Sequence, residues 1–158
     1  MKEGFIFWEE PLRLIGAVAP DAVASRLASS LGKGPFRGGN RLVGTVHDYR
    51  FRVWQKNLLS PDSVECVGVI VPGAEGSIIQ GTLQYKLATR IQFAGGLLLG
   101  VILAGTGLMQ KLTGPESPFA AVGFIILGVM LVWIYSSARM KSGQIRFIRE
   151  KLEEIVCG

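Results

Sequence analysis

Few residues of this 158-residue chain could do acid–base, nucleophilic or metal chemistry. It has one histidine, His47, beside Asp48, and two cysteines, Cys66 and Cys157. A catalytic or metal-binding histidine needs further donors at suitable spacing, and no His, Cys or carboxylate set supplies them. Cys66 lies in a valine-rich stretch typical of a core strand, with no activating base visible beside it. The sequence therefore predicts a non-enzymatic protein with no cofactor and no metal site.

A glycine-rich segment, "GKGPFRGGN" at residues 32–40, carries Lys33 and Arg37. A phosphate cradle is built on a strand that precedes the glycines and a helix that follows them. Here the predicted order is reversed, because a helix precedes and a strand follows. We predict a surface loop, and contact of Lys33 and Arg37 with lipid headgroups stays open.

The most distinctive polar feature is the stretch "TVHDYRFRVWQKN", in which the pattern has a period of two. As one strand it would present His47, Tyr49, Phe51 and Val53 on one face. The other face would carry bases and an aromatic ring, and the approach to the first apolar run adds two more bases. These candidate binding residues are Arg50, Arg52, Trp54, Lys56, Lys86 and Arg90.

Two interpretations of this basic strand stay open. It is either a solvated sheet face or a patch that lies on anionic lipid headgroups, with Trp54 at interface depth. In both cases Arg50, Arg52 and Lys56 should be replaceable without loss of the fold. The net charge of +5 is too diffuse, and the aromatic residues too few, to predict a nucleic-acid partner.

Two long apolar runs occupy residues 91–112 and 119–137. The first contains one charge, Lys111, and the second contains none. A helix of the first run would be about 33 Å long, enough to cross a hydrocarbon core of about 30 Å. The linker at 113–118, "TGPESP", is rich in helix breakers and too short to form a domain. We predict a transmembrane hairpin with an external turn.

The basic residues near the ends of these runs suggest an orientation. Lys86 and Arg90 precede the first run, and Arg139 and Lys141 follow the second. Because Lys and Arg near span ends favour the cytoplasmic side, we expect a bacterial inner-membrane protein with both termini in the cytoplasm.

Small residues recur on one face of the first apolar helix. They are Gly96, Gly100, Ala104 and Gly107. Such residues let helix backbones approach closely in lipid. Their partner is either the second apolar helix, through Gly123 or Gly128, or a second copy of the chain in a homo-oligomer.

The remaining residues predict an α+β module. Within residues 1–90, a short helix capped by Asp21 would bury Val23, Leu27 and Leu31, and an antiparallel meander of three or four strands would follow. Residues 138–158 predict an amphipathic tail helix that packs on the meander. Its apolar stripe comprises Ile145, Ile148, Leu152 and Ile155, with Arg146–Glu150 and Arg149–Glu153 as ion pairs.

The order of these parts resembles a family of small bacterial membrane proteins. The residues that carry the resemblance are 44–71, "GTVHDYRFRVWQKNLLSPDSVECVGVIV". They follow the pattern of a "G-x-V…Y-x-F-x-V" strand, an "N-x-x-x-P" turn and a "G-x-I/V" strand. The resemblance implies a β-rich module, a two-helix hairpin and a charged tail helix. It implies no catalytic residues.

These features favour a membrane-anchored binding or assembly module. Its expected partners are the lipid bilayer, anionic headgroups and further copies of itself. The alternative is an accessory subunit of a larger membrane transporter or enzyme complex.

Overall fold

The computed structural model describes residues 8–32, 41–56, 64–74, 76–113 and 118–157. The described elements are β1 (Glu9–Gly16), α1 (Pro20–Ser30), β2 (Arg41–His47), β3 (Arg50–Lys56), β4 (Val64–Gly73), β5 (Gly76–Tyr85), α2 (Leu87–Thr113) and α3 (Pro118–Cys157). The chain forms two compact units. We call Met1–Lys86 with Met140–Gly158 the module, and Leu87–Arg139 the hairpin.

The module contains one five-stranded antiparallel sheet of order β1-β5-β4-β3-β2. Strands β2 to β5 form a meander, and β1 adds to it by pairing with β5. The α+β class is confirmed, and β1 makes the sheet larger than the three or four strands expected. Pro11 lies in β1, where an edge strand tolerates a residue that has no backbone N–H to donate.

Strands β2 and β3 are joined by a tight turn at Asp48 and Tyr49. Both residues have positive φ angles, +47° and +63°, and His47 pairs with Arg50 across the turn. Two successive left-handed residues are the geometry of a type I′ hairpin, whose twist matches that of the strands. The prediction of one continuous strand through these residues is therefore wrong.

The turn also changes the expected surroundings of His47. Its side chain is 89% exposed, and its Nε2 lies 3.0 Å from the Asp48 carboxylate. It does not share a half-buried sheet face with Tyr49 and Phe51. Tyr49 donates a hydrogen bond from its hydroxyl to Asp21, and this bond raises the pKa of the tyrosine.

Helix α1 begins with Pro20 at its first turn, and the residue that caps it is Ala19. Asp21 makes no side-chain cap, contrary to expectation, and instead accepts the hydrogen bond from Tyr49. Val23 and Leu27 are fully buried, as their spacing predicts, and they contribute to the core.

The core lies on one face of the sheet, beneath α1 and the last turns of α3. Ile148, Leu152 and Val156 are almost completely buried there, with Ile145 and Ile155 packed beside them. The core residues that the sheet and α1 supply are Leu12, Val23, Leu27, Leu42, Phe51, Val53, Val64, Cys66, Ile70, Ile79, Leu83 and Tyr85. The end of the chain is therefore an integral part of the module.

Two contacts show how closely α3 approaches β1. A Cβ placed on Gly16 would lie 2.1 Å from Val156 Cγ1, so no side chain fits at Gly16 without displacing the helix. Arg149 donates to Glu10 at 3.0 Å, where the sequence suggested a bond to Glu153. The predicted Arg146–Glu150 pair is present at 3.7 Å.

The hairpin contains α2 and the first half of α3. The sequence placed helices at 91–112 and 119–137 and a separate tail helix from 138; the structure has Leu87–Thr113 and one continuous helix, Pro118–Cys157. Segments Leu87–Met109 and Ala121–Cys157 are long and apolar enough to cross a membrane. Residues 114–117, in the expected external turn, lie outside the described residues.

Candidate functional site

Strand β3 presents its basic residues on the face of the sheet opposite the core. Phe51, Val53 and Gln55 are buried, while the alternating residues Arg50, Arg52 and Lys56 are exposed and Trp54 is half-buried. This second face carries the most concentrated set of polar side chains that the sequence singled out.

The second face also holds a buried carboxylate. Glu65 lies opposite Trp54 on β3 and opposite Gln84 on β5, and its side chain is only 2% exposed. Arg52 Nε donates to Glu65 Oε2 at 2.8 Å, and Gln84 Nε2 donates to Glu65 Oε1 at 3.2 Å. Each carboxylate oxygen therefore has a donor, as a buried charge requires. We call Arg52, Trp54, Glu65, Gln84 and Lys86 the Glu65 cluster.

Lys86 and Trp54 complete this cluster. The Lys86 ammonium lies 4.0 Å from the centroid of the Trp54 ring, within the range of a cation–π contact. Lys86 is the single residue between β5 and α2, and this contact holds its side chain on the sheet. Arg90 belongs to the first turns of α2, in the hairpin, and is not part of the cluster.

Charge and burial set the protonation states around Glu65. The hydrogen bond to Glu65 and the charge of that carboxylate raise the pKa of Arg52. Burial, with a smaller effect of Glu65, raises the pKa of the neighbouring Cys66 thiol to about 12. Cys66 is therefore a neutral core thiol near pH 7, which is the opposite of an activated nucleophile.

The cluster has the geometry of a buried carboxylate whose two oxygens each accept a hydrogen bond. Glu65 accepts from two side chains and is only 2% exposed, so it has little contact with the water that a hydrolytic general base would activate. Within the described ranges, no group of three His, Cys, Asp or Glu side chains is placed to hold a metal ion.

The sequence did not predict that Glu65 and Gln84 belong to this cluster. One signal was present: Glu65 is the single charge in the apolar strand "VECVGVIV". A lone carboxylate in such a strand needs a partner, but only the register of β3, β4 and β5 shows which residues supply it.

The small residues of α2 pack on the second helix of the hairpin. A Cβ on Gly96 would lie 2.4 Å from Met130 Cε, and one on Gly100 would lie 2.8 Å from Leu127 Cδ2. Ala104 is buried, and a Cβ on Gly123 would lie 2.3 Å from its backbone nitrogen. Gly107 is also buried.

These contacts show which glycine of the second helix lies against α2 within one chain. Gly123 supplies the close approach within the chain, whereas a Cβ on Gly128 would meet nothing within 4 Å. Phe93 and Trp133 extend the same interface, with ring centroids 5.9 Å apart in an edge-to-face arrangement. The small face of α2 is thus occupied by α3.

Among the described residues, most of the apolar side chains of the two helices are exposed. Only 22% of the apolar window in α2 and 17% of that in α3 is buried. Large exposed side chains on the two helices are Leu98, Leu99, Val101, Ile102, Phe124, Ile125, Val129, Leu131 and Val132.

Comparisons with known proteins yield one remote structural likeness. No family model matches the chain, and no curated protein matches it. A polyketide-cyclase-like protein from Corynebacterium glutamicum, determined in solution by NMR, matches over 99% of this chain and 91% of its own. The identity is 11% and the TM-score is 0.35, so the likeness carries no argument about activity or ligand.

Two expectations are corrected by this result. The resemblance to a family of small bacterial membrane proteins is wrong, since the matching structure belongs to a polyketide-cyclase-like protein and no family model supports the resemblance. The assignment to the bacterial inner membrane with cytoplasmic termini is contradicted by the same match, to a protein studied in solution. The loose "Y-x-F-x-V" pattern behind the resemblance spans the β2–β3 turn and describes any strand with alternating apolar residues.

Proposed function

We propose that the chain is a non-enzymatic binding or assembly module anchored by a lipid-embedded hairpin. The observation that carries this proposal is the apolar surface that the two hairpin helices leave uncovered. The proposal specifies neither a cellular compartment nor an orientation across the bilayer.

The uncovered surface is too large and too continuous for a helix pair in water. Leu98 on α2 is 63% exposed and Ile125 on α3 is 65% exposed. Many other large apolar side chains along both helices are also more than half exposed. Water-soluble monomers rarely expose apolar patches larger than a few hundred Å². Helices satisfy their own backbone hydrogen bonds, so a lipid core can cover such a pair without further cost to the backbone.

Liposome flotation of the full chain tests this proposal. We expect the chain to float with phosphatidylcholine vesicles and to resist extraction by alkaline carbonate. Leu98→Asp combined with Ile125→Asp should abolish integration, because each carboxylate at mid-bilayer depth costs about 2.5–3.5 kcal/mol. The matched control is Ile15→Asp, at an apolar residue of β1 that is 66% exposed and lies in the module.

The two outcomes differ clearly. If the hairpin faces lipid, the double variant is extracted while Ile15→Asp floats like the parent. If the hairpin faces water, the added charges improve solubility and leave the distribution between vesicles and buffer unchanged, which excludes the proposal.

We further propose that anionic headgroups contact β3 through Arg50 and Lys56. Both side chains are exposed on the second face, whereas Arg52 is held by Glu65 and Lys86 by Trp54. Each base near an anionic surface contributes about 1 kcal/mol. Arg50→Gln with Lys56→Gln should therefore reduce the enrichment of phosphatidylglycerol around the reconstituted chain, measured by mass spectrometry of bound lipid. Unchanged enrichment identifies a merely solvated face.

The alternative, an accessory subunit of a membrane transporter or enzyme complex, is supported by the same uncovered surface, because a foreign helix could cover part of it. Purification in mild detergent distinguishes the two functions. A stoichiometric foreign subunit favours the accessory role, and bound lipid or self-assembly favours the anchored module.

A further inference from the structure

A cavity of about 510 Å³ lies within the module, between α1, the start of β2 and the last turns of α3. Its apolar lining includes Leu42 and Phe147. Leu42 is a buried core residue, and Phe147 packs against the core cluster. This volume lies within the range of about 300–1,000 Å³ that is typical of small-molecule sites.

The polar lining of this cavity is dominated by positive charge. Its charged residues are Arg26 from α1, Arg41 from β2, and Lys151 with Glu154 from α3, and Ser30 adds a hydroxyl group. Lys151 and Glu154 form an ion pair at 2.5 Å and so compensate each other. Arg26 adds a further positive charge to the lining.

Arg26 differs from the other bases of this lining in its contacts. In the described part of the chain, its guanidinium has neither a carboxylate at ion-pair distance nor a side-chain hydrogen bond. A guanidinium offers a fork of donors that matches the paired oxygens of a carboxylate or a phosphate. Because apolar side chains line the cavity beside this guanidinium, the cavity suits a ligand that has both an anionic group and an apolar part.

We propose that this cavity binds an organic anion that has an apolar body, its charged head on Arg26 and its body against Phe147. The shared chemistry is a carboxylate or phosphate joined to an alkyl chain, as in a fatty acid or a lysophospholipid. All of the lining residues belong to the module, so the site does not depend on insertion of the hairpin in lipid.

The test is isothermal titration of the full chain in phosphatidylcholine nanodiscs, with protein-free discs as the blank. The probes are octanoate and octyl phosphate, which have an anionic head and an alkyl body. Octanol supplies the body alone, and inorganic phosphate supplies the head alone. We expect saturable binding of at least one anionic amphiphile, about tenfold tighter than octanol or inorganic phosphate, since one charge-assisted hydrogen bond contributes about that factor. The tighter of the two amphiphiles identifies the head.

Arg26→Gln locates the site. It should weaken binding of the amphiphile about fivefold, as expected for a partly screened charge pair. Arg146→Gln is the matched control, because Arg146 is an exposed base of α3 that pairs with Glu150 outside the cavity. Three results would each overturn the proposal. They are equal binding of the amphiphile by the parent and both variants, binding of octanol as tight as that of the amphiphiles, and no heat above the blank. Failure to enter nanodiscs would count against the anchored hairpin; the same titrations in mild detergent, with detergent alone as the blank, then decide on this site by the same outcomes.

Discussion

Arg52 and Glu65 form a 2.8 Å ion pair in which the arginine side chain is 52% exposed and the glutamate only 2%. The asymmetry matters because removing the exposed partner leaves a buried carboxylate held by Gln84 alone. Sequence reasoning treated Arg50, Arg52 and Lys56 as equivalent surface bases. The structure separates Arg52 from the other two.

Arg52→Gln should lower the free energy of unfolding by about 1–3 kcal/mol, the cost of leaving a buried polar group without its partner. Urea unfolding of the full chain in mild detergent, followed by near-UV circular dichroism, measures this loss. Arg50→Gln, at the exposed neighbour on the same face, should change it by less than about 0.5 kcal/mol. Glu65→Gln added to Arg52→Gln should recover part of the loss, and equal effects of the two arginine variants would contradict the pairing.

The end of α3 should be essential to the module. Leu152→Ala removes a fully buried side chain from the core and should cost about 2–5 kcal/mol. Glu153→Ala, at the exposed next residue, should be close to neutral. If both variants melt at the same temperature, the tail helix does not pack on the sheet.

The helix contact in the hairpin can be tested with two glycines of α3. Gly123→Leu places a side chain where even a Cβ lies 2.3 Å from the Ala104 backbone, so it should separate the helices and lower the melting temperature. Gly128→Leu meets open space and should have little effect. A change of oligomeric state in Gly123→Leu without loss of stability would instead indicate packing against a second copy.

Alkaline pH should destabilise the module through Cys66. The pKa of the thiol is about 12 in the folded chain and 9.0 by its ordinary value, so the unfolded chain loses its proton first as pH rises. The stabilisation is complete below about pH 9 and is lost as pH approaches about 12, an effect of up to about 4 kcal/mol. Cys66→Ala lacks this group, so the stability gap between parent and variant should narrow with rising pH. A constant gap would show that the thiol is not buried.

Much of this fold was predictable because burial imposes a period on the sequence. The four-residue spacing of Val23 and Leu27 predicted α1, and the stripe of Ile148 and Leu152 predicted a packed tail helix. The alternation along β3 identified its two faces. The length of the apolar runs predicted two long helices.

Other features were hidden for physical reasons. Asp48 and Tyr49 form a type I′ turn without the Asn or Gly that usually marks one. The sequence therefore predicted β2 and β3 as a single strand. The change from an apolar to an amphipathic pattern near residue 138 suggested a boundary, yet no proline interrupts α3 there. The Arg52–Glu65 pair depends on strand register, which short-range patterns do not specify.

Labelling of single cysteines distinguishes a hairpin that is covered by lipid from one that faces water. Leu98→Cys in the hairpin and Ile15→Cys in the module replace side chains that are 63% and 66% exposed in the protein itself. Each is made in a Cys157→Ser background, since Cys157 is exposed and Cys66 is buried. The purified chain in phosphatidylcholine vesicles, permeabilised so that both sides are accessible, is treated with a water-soluble maleimide.

A thiol reacts as its thiolate, which an apolar surrounding suppresses. We expect Leu98→Cys to be labelled at least about tenfold more slowly than Ile15→Cys, a difference of about 1.4 kcal/mol in apparent accessibility. Unfolding in denaturing detergent should then make the two rates equal. Equal rates in the intact vesicles would show that water, and not lipid, surrounds residue 98.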